Sequence, residues 1–135
     1  MNQALINKYK ILFKNKLFTF ENGKAEYVPT AETSNIYLTD FLLSWTSPAE
    51  IEEYLIPEIE KILNGLSVKF ETGTETISMD IGATTAIFYT ENKNGLYPEI
   101  PTADLLSTLI SWKEFLNHLL ITATSPLQLH SKHQY

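Results

Sequence analysis

The residue pattern of this 135-residue chain predicts an α+β fold in which a mostly antiparallel sheet packs against helices. Three observations predict it. An Asn-Gly pair separates two strand-like runs near the N-terminus, two later segments alternate apolar and polar residues, and a long apolar stripe at helical spacing follows them. The expected order is α-β-β-α-α-β-β-β-α, an N-terminal hairpin plus a three-stranded meander. One domain over 1–126 should hold all of it, followed by a flexible tail over 127–135.

Leu5, Ile6, Tyr9, Leu12 and Phe13 lie at helical spacing and predict a first helix over 3–14, with a strand at 11–13 as the competing reading. The hairpin follows. Asn22-Gly23 supplies two positive φ values for a type I′ turn, which would pair Phe20 with Ala25, Thr19 with Glu26 and Phe18 with Tyr27. Phe18, Phe20, Ala25 and Tyr27 would then share one buried face. Residues 29–36 read as a polar loop.

A short helix carries Leu38, Phe41, Leu42 and Trp45 on one stripe. Ser47-Pro48-Ala49-Glu50 reads as the next helix start, with Ser47 as cap, Pro48 in the first helical position and Glu50 completing a capping box. This helix should bury Ile51, Tyr54, Leu55, Ile59, Ile62 and Leu63, and stop at Asn64-Gly65. Pro57 removes a backbone bond within it, so a kink or break is expected near Glu53.

Strands are expected over 66–70, 77–81 and 84–90, with single-face alternation that places helices on one side of the sheet. The final helix starts at Pro101-Thr102, with Thr102 as N-cap and Asp104 in the first turn. Leu105, Leu109, Trp112, Leu116 and Leu119 form its stripe, widened by Leu106, Ile110, Phe115 and Leu120.

Composition narrows the chemistry. With no Cys there can be no disulfide, thiolate metal site or cysteine nucleophile. The N-terminus lacks a basic leader joined to an apolar core, and no apolar run is long enough for a bilayer, so a soluble cytoplasmic protein without a membrane partner is expected. All ten basic residues are Lys. Four of them lie in residues 1–16 with no acid, so residues 17–135 hold six Lys against sixteen acids, a net −10. Such a body repels a phosphate backbone, so no direct nucleic-acid binding is expected; it favours basic partners or simple solubility.

Catalytic signatures are sparse. Asp104, Ser107, Ser111, Glu114 and His118 share one polar stripe of the last helix, where parallel side chains do not converge. His130 and His133 fall in the expected tail, and the five Gly form no phosphate cradle. The reading is therefore a non-enzyme with no catalytic residue, no metal and no cofactor. Binding features are richer. Glu50, Glu53, Pro57 and Glu60 step by three and four, and Glu52 widens that acidic stripe. The loop Asn92-Lys93-Asn94-Gly95-Leu96-Tyr97 offers Tyr97 as an exposed anchor, although it could equally pack over the sheet edge.

The segment Ala86-Ile87-Phe88-Tyr89, followed by Ile100-Pro101-Thr102-Ala103-Asp104-Leu105-Leu106 and Trp112-Lys113-Glu114-Phe115-Leu116, resembles bacterial immunity proteins, the inhibitors of polymorphic and contact-dependent toxins. Those sequences often carry an I-P-T-x-x-(L/F) helix start and a W-x-x-F-L helix. The resemblance implies a non-enzymatic partner binder whose partner is a cognate toxin, in many cases a nuclease with a basic cleft. An acidic surface holding Glu50, Glu52, Glu53, Glu60 and Tyr97 would then occlude the cleft. The alternatives are a small-ligand or catalytic domain with a pocket between sheet and helices, and a structural subunit that pairs through an exposed strand edge.

Overall fold

A computed structural model describes residues 2–74, 76–90 and 95–124. The first helix, α1 (Gln3–Tyr9), is capped by the Asn2 side chain, which accepts from the Leu5 N–H at 2.8 Å. It ends earlier than the apolar spacing suggests. Lys10 adopts a left-handed conformation with φ 51°, and the chain turns into β1 (Leu12–Thr19). Leu12 and Phe13 are therefore strand residues, because pairing with a distant strand outweighs a short helix's weak preference for one more turn.

β1 pairs antiparallel with β2 (Ala25–Glu32), and the register differs by one residue from the expected one. Thr19 faces Ala25, Phe18 faces Glu26 and Leu17 faces Tyr27. The Gly23 N–H donates to the Phe20 carbonyl at 2.9 Å, and the Phe20 N–H donates to the Lys24 carbonyl at 2.8 Å. The loop thus has three residues, with one left-handed position, Gly23 at φ 81°, where a type I′ turn needs two. A slip of one residue moves side chains to the opposite face. Tyr27 leaves the face of Phe18 and Phe20, and all three are exposed instead of forming a buried aromatic side. Ala31 and Phe13 are the pair that turns toward the core.

The first half of the expected loop at 29–36, residues 29–32, belongs to β2, and 33–35 form the loop. Counting from the bonded Phe20–Lys24 pair, Asn15 and Pro29 form a non-bonded pair. The Pro29 nitrogen faces away from β1, so its missing N–H costs no ladder bond.

α2 (Ile36–Ser44) buries Leu38, Phe41 and Leu42 as its stripe predicts, with Asn35 as cap; Trp45, at its end, is half-buried. The Ser47 hydroxyl then accepts from the Glu50 N–H, and Pro48 opens a run made of α3 (Pro48–Glu50), a π-helical turn (Ile51–Leu55) and α4 (Ile56–Leu63). The expected disruption at Glu53 takes this form. Pro57 cannot donate to the Glu53 carbonyl and its ring would press on it, and a widened turn accommodates both without a break. The extra residue sets the rest of the helix back. Ile56 joins the buried set, whereas Tyr54 and Leu63, expected inside, are exposed. The helix closes at Gly65, φ 75°, with the Leu66 N–H donating to the Lys61 carbonyl and the Gly65 N–H to the Ile62 carbonyl.

The main sheet has four strands in sequential antiparallel order: β3 (Lys69–Gly73), β4 (Ser78–Gly82), β5 (Thr85–Tyr89) and β6 (Glu99–Pro101). β6 was not expected. Its three residues, Glu99–Pro101, are too few to show alternation, and pairing with β5 creates the strand. β3 also begins later than the alternation indicates, leaving Leu66 and Val68 exposed. The last helix, α5 (Thr102–Thr124), packs with the earlier helices over one sheet face. Met79, Ile81, Ala86, Phe88 and Ile100 meet Leu38, Phe41, Ile59, Leu105, Leu109 and Trp112 in one core. The expected tail over 127–135 lies outside the described residues. Among the described residues, no helix is long and apolar enough to cross a membrane.

Candidate functional site

The helices cover one face of the main sheet, so its polar positions collect on the other. Strand pairing sets Glu71 opposite Asp80, Asp80 opposite Ile87, and Ile87 opposite Glu99. Residues opposite one another point the same way, so these four form a row across all four strands, about 14 Å long at the usual strand spacing. Two carboxylates directly opposite repel. Here Lys69 lies between them, its Nζ 3.1 Å from Glu71 and 3.5 Å from Asp80. The ammonium is held charged, its pKa raised by the Glu71 hydrogen bond and by the field of Asp80.

Tyr89 extends this face. Its hydroxyl donates to Asp80 Oδ2 at 2.6 Å, and that bond, followed by partial burial, raises the phenol pKa. Tyr97 packs edge-on against the Tyr89 ring, with centroids 4.9 Å apart, and is exposed. A shallow hollow of about 260 Å³ lies beside Asp80, walled by Val68, Lys69, Thr85 and Ile87. Val68 is 90% exposed at its rim.

The acids expected on the helix lie elsewhere. Glu50, Glu52, Glu53 and Glu60 are all exposed, but the π-helical turn spreads them around the axis. Glu52 reaches toward α5, where its carboxylate is 3.6 Å from the Lys113 ammonium. Glu50 lies on the other flank, beside Trp45 and Thr74. The five residues expected to act together are thus divided, with Tyr97 on the open sheet face and the four glutamates on the helical layer. Glu71, Asp80, Glu99, Lys69 and Tyr89 went unrecognised. The alternation and the expected meander place Asp80 on a central strand, but give neither the register that sets Glu71 opposite it nor the fourth strand that brings Glu99.

A second polar cluster joins the N-terminus to α5. Asp104 Oδ2 accepts from Tyr9 Oη at 2.6 Å and from Lys8 Nζ at 2.9 Å. Burial pushes the Asp104 carboxyl up, but the bonds from Tyr9 and Lys8 together outweigh it and hold its pKa below 3.8. Burial and the Asp104 bond push the Tyr9 phenol up. A carboxyl whose pKa is lowered by folding stabilises the fold above its unfolded pKa, and that contribution disappears as pH falls through the folded value. Denaturant midpoints measured from neutral pH into the acid range should therefore fall more steeply for the wild type below pH 3.8 than for Asp104→Asn. Parallel curves would show that the cluster adds no pH-dependent stability.

This engagement also bears on the polar stripe of α5. Asp104 and His118 are 14 residues apart on one helix, about 21 Å along its axis, so they cannot act on one substrate atom. The space between sheet and helices is filled by Trp112, Phe41, Phe88 and Met79. The largely apolar hollow, about 320 Å³, is instead a surface groove between the hairpin and the end of α5, lined by Tyr27, Pro29, Pro48, Leu116, Leu119 and Leu120. Among the described residues, no three His, Asp or Glu side chains are grouped to hold a metal ion.

The chain matches no protein-family model, no curated protein and no solved structure.

Proposed function

We propose that this chain is a non-enzymatic, cytoplasmic inhibitor of the immunity type, which neutralises a basic cognate toxin by covering its active site with an acidic surface. The observation that carries the reading is the open sheet face, where Lys69 meets the carboxylates of Glu71 and Asp80, Glu99 stands in the same row, and Tyr89 and Tyr97 are exposed. An acidic inhibitor meeting a basic cleft gains encounter rate and specificity from long-range attraction, and aromatic anchors add affinity at short range.

The resemblance to immunity proteins supports the reading at the level of framework. Ile100, Leu105, Leu109, Trp112 and Leu116 of the resembling segment are core residues, and Thr102 ties α5 to the sheet. They build the scaffold and leave the surface free to vary. The filled space between sheet and helices supports partner binding over the alternative of a ligand pocket there.

Affinity capture from toxin-expressing source cells, with the chain as bait, tests the proposal. The expected result is a stoichiometric partner with a basic toxin domain, released by raised salt, whose activity the chain abolishes at equimolar ratio. Failure to recover any such partner would overturn it.

A further inference from the structure

We infer that the open face of the four-stranded sheet is the docking surface for the basic partner, and that it takes an arginine or lysine side chain of that protein. The inference rests on the functional reading above and adds the surface and the group recognised. Among the described residues no element lies over this face, and its charge is complementary to a cation. The row Glu71, Asp80 and Glu99 spans the sheet with Lys69 as its counter-ion, so the free protein keeps a surplus of negative charge there.

The hollow fits the rest of such a side chain. Val68, Thr85 and Ile87 offer an apolar wall for an aliphatic stem, and Asp80 stands at its side to meet the charged head. The Tyr89 ring is held in place by its bond to Asp80 and by Tyr97, so an aromatic surface is ready to receive a guanidinium. The helical acids make a poorer case, because the π-helical turn divides them between flanks.

Lys69 then has a specific role. Its ammonium occupies the position a partner's cation would take, so it competes with the partner. Removing it should tighten binding, beyond the general effect of one less positive charge. Lys24, at the hairpin turn, provides the control, since K24Q changes net charge by the same amount on a separate two-stranded sheet.

The test uses a hexa-arginine peptide, titrated at low salt into the isotope-labelled chain and followed by backbone amide shifts. Expected are saturable shifts centred on residues 69–71, 80, 85–89 and 97–99. K69Q should bind about two- to fivefold more tightly than K24Q, and E71Q/E99Q should bind more weakly than wild type by a similar factor. These residues are exposed or half-exposed, and dispersed amide spectra will confirm that each variant folds. Equal affinity of K69Q and K24Q, or shifts centred on residues 48–63, would overturn the assignment of this face. That result with a basic toxin still captured leaves the functional reading intact; peptide seated on the sheet face with no toxin captured overturns the functional reading alone.

Discussion

Trp112→Ala should lower the unfolding free energy by about 3–5 kcal/mol, the usual cost of emptying a large aromatic site in a core. Trp112 is fully buried at the centre of α5, 5.1 Å from the Phe13 ring and stacked 5.7 Å from Phe115. Its indole N–H also donates to the Trp45 carbonyl at 2.7 Å, which joins the end of α2 to α5. The substitution therefore removes packing from the hairpin and a bonded tie between helices. Trp112→Phe separates the two contributions. It keeps most of the apolar volume but leaves the Trp45 carbonyl without that donor, and should cost less than the alanine variant. Urea unfolding followed by circular dichroism measures both, and a loss under 1 kcal/mol for Trp112→Ala would mean that the site collapses or was never well packed. Against a typical total of about 5–15 kcal/mol, the predicted loss is a large fraction of stability.

Thr102→Val should cost about 1–3 kcal/mol despite the near-identical shape of the two side chains. Thr102 is fully buried where α5 begins. Its hydroxyl donates to the Gly82 carbonyl at 2.6 Å, and its N–H donates to the Thr84 carbonyl at 3.0 Å. It was expected as a helix cap; it is the first residue of α5, and its hydroxyl ties the helix to the end of β4. Valine leaves the Gly82 carbonyl without this donor, and an acceptor deprived of its partner in the interior costs more than the bond itself contributes. Thr102→Ser keeps the hydroxyl and loses only a methyl, about 0.8 kcal/mol. Thermal melts should rank wild type above Thr102→Ser above Thr102→Val. The reverse order of the two variants would show that packing of the methyl, and not the bond, holds the joint.

The candidate site was only partly legible. Glu50, Glu52, Glu53 and Glu60 are exposed as expected, because a carboxylate without a partner is costly to bury. Their expected common stripe assumed an undisturbed α-helix from Pro48 onward, and the π-helical turn changed the phase. Pro57 marked where the disturbance would fall but not its form, since a kink, a break and a widened turn all relieve the same clash. For Tyr97 the sequence leaves an exposed anchor and packing at the sheet edge open; it is exposed and also packs on Tyr89. The place of Glu99 in the row depends on a β5–β6 pairing that a three-residue strand does not announce.

What the amino-acid order determined by itself was local: the turn near Asn22-Gly23, the Ser47-Pro48 helix start, the Gly65 stop, the strands around Met79 and Phe88, and the stripe of α5. Each of these follows from groups a few residues apart, a hydroxyl that reaches the next turn's N–H or a glycine that tolerates positive φ. Tertiary structure alone decided the hairpin register, the π-helical turn, the existence of β6, and which carboxylates share the open face of the sheet. Those outcomes are set by small differences between whole arrangements of strands and core side chains, and the energy that separates them comes from residues far apart in the chain.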